Sequence, residues 1–98
     1  MKIIWTKEAF ERLIEMEDYI SKDSPERAAR FVDKIVDHAE LLSNNTQLGR
    51  MVPETANPII RELIFKKHRI VYRLKKDTIE ILTVFEGHML LRIDEAGF

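Results

Sequence analysis

The run from Ile59 to Phe85 constrains the fold more than any other part of the chain. Its three stretches of β-branched and aromatic residues are separated only by Lys66-Lys67 and by Lys75-Lys76-Asp77. Joints that short permit nothing but tight reversals, so the pattern predicts an antiparallel meander of three strands. By the two-residue period of a strand, Ile70, Tyr72 and Leu74 form one apolar stripe, and Arg69, Val71 and Arg73 fall on the opposite face. Arg61, His68, Arg69 and Arg73 thus build a basic surface into the sheet, and function is expected there. In the last strand Ile79, Ile81 and Phe85 share one parity while Leu82 and Val84 share the other, so both faces read as apolar. Helices can cover one of them, and a partner protein is the expected cover for the second.

Upstream of the meander, Lys2 to Trp5 is short and β-branched and must join the later sheet to be stable. Thr6 is placed to cap a helix on which Ala9, Leu13, Met16 and Ile20, flanked by Phe10 and Ile14, recur at helical spacing. Glu8, Glu11, Glu15 and Asp18 fall on its solvated side. Ser24-Pro25-Glu26 combines an N-cap, a proline at the first helical position and an acid at the positive end of the dipole. It opens a second helix carrying Ala28, Phe31, Val32, Ile35, Ala39 and Leu42, which ends at Ser43-Asn44-Asn45. The joint between the helices is short, so they run antiparallel and share an apolar seam. Residues 46–58 form the long irregular segment, broken by Gly49, Pro53 and Pro58 and anchored by Leu48, Met51 and Val52. The expected fold is α+β, a single domain over 1–98 in the order β-αα-βββ: an antiparallel sheet of about four strands with an αα-hairpin on one face. A second apolar run, Met89 to Ile93, follows Gly87 and His88. Its spacing leaves open an edge strand, a helical turn or a segment ordered by a partner.

With 16 basic against 17 acidic residues, the balance argues against a protein that holds nucleic acid by bulk electrostatics alone. The charge is uneven, since residues 1–57 carry 8 Lys and Arg against 11 Asp and Glu, and residues 58–98 carry 8 against 6. Cysteine is absent, which excludes disulfides and thiolate metal sites. No apolar run approaches the ~18 residues of a membrane span, so a cytoplasmic location and no membrane partner are expected. There is no phosphate-binding glycine loop, HExxH or GxSxG, and His38, His68 and His88 are far apart, so neither metal nor cofactor is expected. His38 is expected at a helix boundary. Arg61, Arg69 and Arg73 have two open readings: pairing with Glu62, Glu80 or Glu86 across the sheet, or binding a phosphate or an acidic partner segment. His88 directly follows Gly87, and reads either as an acid or base reaching over the sheet or as a polar turn residue.

These motifs taken in order produce a resemblance along nearly the whole chain. Ile3-Ile4-Trp5-Thr6-Lys7-Glu8-Ala9, Ser24-Pro25-Glu26-Arg27-Ala28-Ala29-Arg30-Phe31, Leu48-Gly49-Arg50 with Val52-Pro53-Glu54, Ile60-Arg61-Glu62-Leu63, His68-Arg69-Ile70-Val71-Tyr72-Arg73 and Ile79 to Val84 resemble the RelE/ParE superfamily of bacterial toxins. The resemblance implies the toxic half of a type II toxin-antitoxin module. Its partner would be a small antitoxin that wraps helices and sheet, and DNA would be reached only indirectly through that antitoxin. Growth inhibition and plasmid stabilisation are the roles it implies.

The superfamily divides by mechanism, and the site residues divide with it. RelE-like members cut mRNA on the ribosome; for that branch Arg69 matches the central arginine, the lysine positions fall on Ile60 and Glu62, and the late arginine falls on Met89. Arg69 and His88 would then be the catalytic candidates. ParE-like members poison DNA gyrase by binding, and the Ser24-Pro25-Glu26-Arg27-Ala28 joint and the Leu48-Gly49-Arg50 loop resemble that side more closely. Where many of them carry His-Gly-Arg-Arg, this chain has Glu86-Gly87-His88-Met89. On the ParE-like reading the target surface comprises Arg61, Arg69, Arg73, His88 and Met89, and the antitoxin surface comprises Leu82, Val84, Leu90, Leu91 and Ile93. A third reading keeps the fold as a non-toxic interaction partner.

Overall fold

Two side-chain caps set the helical pair. The Thr6 hydroxyl accepts from the Ala9 amide at 3.2 Å and donates to the Ile81 carbonyl at 2.8 Å, so one residue starts a helix and ties it to the last strand. Ser24 accepts from the Arg27 amide at 3.2 Å, with Pro25 just inside the helix. The computed structural model describes residues 1–87. Its elements are β1 (Lys2–Trp5), α1 (Lys7–Ser21), α2 (Pro25–Glu40), a 3₁₀ turn (Leu41–Ser43), β2 (Arg50–Met51), β3 (Ile60–Phe65), β4 (His68–Leu74) and β5 (Thr78–Glu86).

The strands form one sheet in the order β1-β5-β4-β3-β2. The meander β3-β4-β5 is antiparallel as expected, with a two-residue turn between Phe65 and His68. Two features differ from the expectation. Among the described residues the sheet has five strands, because Arg50 and Met51 pair with Glu62 and Arg61 in an edge strand too short to leave a periodic pattern. It is also mixed, because β1 lies parallel to β5, Lys2 opposite Thr78 and Trp5 opposite Ile81. No tight turn joins those two strands, so nothing forces the reversal that the meander requires.

Ala9 and Leu13 of α1 and Ile35 and Ala39 of α2 bury against Phe65, Ile70, Tyr72, Ile79, Ile81 and Val84, which makes the main core. Phe10 and Ile14, which flank the buried stripe of α1, remain 56% and 39% exposed. The parity expected for β5 breaks at a bulge. Val71 faces Thr83 but Tyr72 faces Ile81, which leaves Leu82 as the extra residue and inverts the alternation beyond it. Val84 therefore joins Ile79 and Ile81 on the helix side, and Phe85 joins Leu82 on the other. Part of that second face is covered within the chain, because Val52 from the irregular segment packs on Ile60, Val71 and Leu82. Of the three expected anchors of that segment, Val52 is fully buried while Leu48 and Met51 are exposed.

Candidate functional site

The face of the sheet opposite the helices carries Glu62 of β3 and Arg69 and Arg73 of β4. Glu62 lies opposite Val71 in the ladder, two residues from Arg69 along the neighbouring strand and on the same face, so the two side chains meet. Arg69 Nε donates to Glu62 Oε1 at 2.5 Å, and Arg50 Nε donates to Glu62 Oε2 at 2.7 Å from the edge strand. Arg69 then turns its other two nitrogens onto Glu54, Nη1 to Oε2 at 2.9 Å and Nη2 to Oε1 at 2.8 Å, a two-pronged guanidinium–carboxylate pair. The Phe85 ring lies 4.9 Å from the guanidinium carbon and closes the stack. The result is a chain of alternating charge, Arg50–Glu62–Arg69–Glu54, whose two inner members are almost wholly buried, Glu62 at 1% and Arg69 at 7% exposure. The two carboxylates hold the Arg69 pKa above its ordinary value, Glu54 contributing most, although burial works against them.

Arg73 is engaged separately. It donates to Glu80, its cross-strand neighbour, through Nε at 2.9 Å and Nη2 at 2.6 Å, and Lys75 adds a 3.5 Å contact. Arg73 chiefly, with Lys75, holds the Glu80 carboxyl below its usual range. Arg61 does not join the other two arginines. It sits on the helix side, donating from Nε to the Gly49 carbonyl at 2.9 Å, beside Tyr72, whose hydroxyl accepts from the Gly49 amide and donates to the Thr46 carbonyl at 3.0 Å each. Burial raises the Tyr72 pKa, as suits a phenol kept as a hydrogen-bond donor. A side chain at Gly49 would run into the Glu62 carbonyl and come within 2.7 Å of the Tyr72 hydroxyl, so the loop closes on the sheet only with glycine there.

His68 is half-buried with its ring centroid 4.9 Å from that of Phe31 in an edge-on arrangement, and burial lowers its pKa. Leu82 and Val84, expected on an antitoxin-binding face, are 5% and 0% exposed within the chain itself; the bulge and Val52 are the reason. His88, Met89, Leu90, Leu91 and Ile93 lie outside the described residues. The pairs Arg69–Glu62 and Arg73–Glu80 were among those expected from the sequence. Glu54 was not, since no strand period brings a loop carboxylate from 15 positions upstream onto Arg69. Its only local signal is Pro53, which restricts the backbone just before it.

An arginine locked between two carboxylates, and a second on its cross-strand acid, describe a scaffold whose charges are used to shape a surface. Among the described residues no group of acidic and histidine side chains is placed to hold a metal, and no helix is long and apolar enough to cross a membrane. The fold and this charge arrangement define a small α+β domain with the helical pair on one sheet face and an ion-pair network on the other. Comparison with known proteins makes the assignment narrower. The chain belongs to the ParE toxin family, the "ParE toxin of type II toxin-antitoxin system, parDE", whose model matches residues 3–91. It is 35% identical over 89 residues to the Sinorhizobium fredii protein described as "Putative toxin Y4kP", covering 89% of this chain and 88% of that one. Its fold superposes with a TM-score of 0.74 and 27% identity on a chain of the chromosomal ParDE TA system from P. aeruginosa, covering 88% of this chain and 95% of the other.

Proposed function

We propose that this ParE-type toxin acts by binding, with DNA gyrase as its target and a cognate antitoxin as its neutralising partner. Membership of a toxin family of type II toxin-antitoxin systems supports the partner, and the resemblance to ParE-like members supports the target. One observation carries the preference for binding over RNA cleavage. Cleavage through a 2′-hydroxyl needs cations free to stabilise developing charge beside a proton-transfer group. Here one of the expected lysine positions is a buried glutamate, Glu62, and it neutralises the very arginine that cleavage would require. The other is Ile60, buried in the second apolar cluster. In this reading the buried Arg69 holds the surface in shape, and Arg73, on the same face with 29% of its side chain exposed, is presented to a target. The action is cytoplasmic, where gyrase works on DNA, and growth inhibition and plasmid stabilisation follow from it.

The test is to induce the chain without antitoxin and follow thymidine and methionine incorporation over the first minutes. Thymidine incorporation is expected to fall first, with purified gyrase losing supercoiling activity in the presence of the protein. A prior fall in methionine incorporation, with codon-positioned cuts in translated mRNA, would replace this reading by the ribosome-dependent ribonuclease. Harmless expression at high level would replace it by the non-toxic interaction partner.

A further inference from the structure

A groove of about 940 Å³ between α1, α2 and the β3–β4 turn has helical banks of opposite charge. Its floor is apolar, made of Met16 and Ile20 of α1, Phe31 of α2 and Phe65 of β3. The α2 bank carries Arg27, Arg30 and Lys34, which the three- and four-residue spacing sets along one stripe of the helix, and Lys66-Lys67 at the turn adds to this positive side. The three α2 cations are exposed, and none forms an ion pair with a carboxylate among the described residues. The α1 bank carries Glu15 and Tyr19, and the same spacing sets Glu11 and Asp18 beside Glu15 on its outer side. Over its 15 residues α1 holds five acids against two bases, so that outer side is acidic. Tyr19 stands at the rim with 75% exposure, more than any other large hydrophobic residue among those described.

We infer that the chain pairs with a second copy of itself through this groove: α1 of each copy lies against α2 of the other, and Tyr19 of each enters the other's groove. An acidic bank and a basic bank on one groove are what a two-fold interface requires. The axis sets residue i against j and j against i, so every contact forms twice. Glu11, Glu15 and Asp18 of one copy then meet Arg27, Arg30 and Lys34 of the other, and symmetry supplies the reverse pairing. Within one chain the two banks do not satisfy each other. Glu15 is held by Arg12 of its own helix at 2.9 Å, and Asp18 has no ion pair among the described residues. Charge fixes the register and the choice of partner, and covering the apolar floor supplies the affinity. A tyrosine suits the anchoring position, because its ring brings apolar area at the entropy of two rotatable angles while its hydroxyl stays at the wet rim. The pairing uses the helices and not the Arg69–Arg73 face of the sheet, so it does not depend on what the chain acts upon.

Sedimentation equilibrium of the purified full chain tests this. In low salt, at about 10–100 μM, the mass should approach twice 11.6 kDa, and association should weaken as salt rises. The variants E15K/D18K and R30E/K34E change only exposed positions, so their far-UV circular dichroism should match the wild type. Each sets like charges across both halves of the interface and should weaken self-association at least tenfold. An equal mixture of the two restores opposite charges in both halves, so a heterodimer should re-form, read by fluorescence anisotropy with one variant labelled. Tyr19→Ser should also weaken pairing at least tenfold, and K76E, at the β4–β5 turn, should pair like the wild type. A wild-type chain that stays monomeric up to about 100 μM in low salt overturns the inference. So does a dimer that neither charge reversal weakens, or a mixture that associates no better than either variant alone. The outcome is separate from that for the target: a harmless chain that dimerises keeps this inference, and a gyrase inhibitor that stays monomeric removes it.

Discussion

Replacing Arg69 with methionine should cost about 3 kcal/mol of stability, and adding Glu62→Leu should return most of it. The single change leaves the Glu62 side chain, which has no exposure, with Arg50 alone, and Arg50 is 65% exposed. An ion pair with so exposed a partner is worth only ~0–1 kcal/mol, while removing one member of a buried pair costs about 3–5 kcal/mol. Glu54, 23% exposed, can turn to water and adds little to the loss. Methionine keeps the bulk of the arginine stem against Phe85 and forfeits the cation–π contact, ~0.5–2 kcal/mol when desolvated. In R69M/E62L no buried charge is left unpaired, and well-packed apolar replacements of buried ion pairs are about neutral. Urea denaturation reads both. With a slope of about 1.5 kcal/mol per molar, the R69M midpoint should fall by roughly 2 M with the slope unchanged, and the double variant should lie within about 1 kcal/mol of the wild type. A single variant within ~0.5 kcal/mol of wild type, or a double variant no better than the single, would show that solvent screens this network and would refute the reasoning. The same arithmetic means that loss of toxicity in an Arg69 variant counts against gyrase contact only after its folding has been measured.

Three further outcomes follow from the geometry. Burial depresses the His68 pKa in the folded chain below the 6.5 of an unperturbed imidazole, so the unfolded chain binds more protons just below pH 6.5. Stability should therefore be full above pH 6.5 and decline as pH falls through that value, and H68Q should flatten the slope in a pH series of thermal melts. Gly49→Ala should destabilise by about 1–3 kcal/mol, because the new methyl meets backbone and the Tyr72 hydroxyl; a fall in Tm of ~4–8 °C per kcal/mol checks it, and an unchanged Tm would mean that the 46–49 loop can shift. Thr6→Ala should cost about 1–2 kcal/mol through loss of the cap and of the tie to Ile81, while Thr6→Ser should retain most of it, read again by urea midpoint.

Local pattern carried most of the fold. The three strands of the meander, both amphipathic helices and the caps at Thr6 and Ser24 could be read directly, while for Arg69 and Arg73 pairing with Glu62, Glu80 or Glu86 was one of two open readings. Each depends on residues close in sequence or joined by a two- or three-residue turn, so a period of two or of 3.6 is enough to place them. The resemblance to ParE toxins was legible for a different reason, since it lies in the order of several weak motifs along the chain. What could not be read involves contacts between segments that no turn connects. A single bulge at Leu82 moved Val84 and Phe85 to faces opposite to those the strand period assigns. Val52 and Glu54 come from an irregular segment without a period, yet one covers part of the second apolar face and the other completes the Arg69 site. The groove between α1, α2 and the β3–β4 turn depends on how the helices lie across the sheet, and the packing of whole elements, which no stretch of residues encodes locally, decides that.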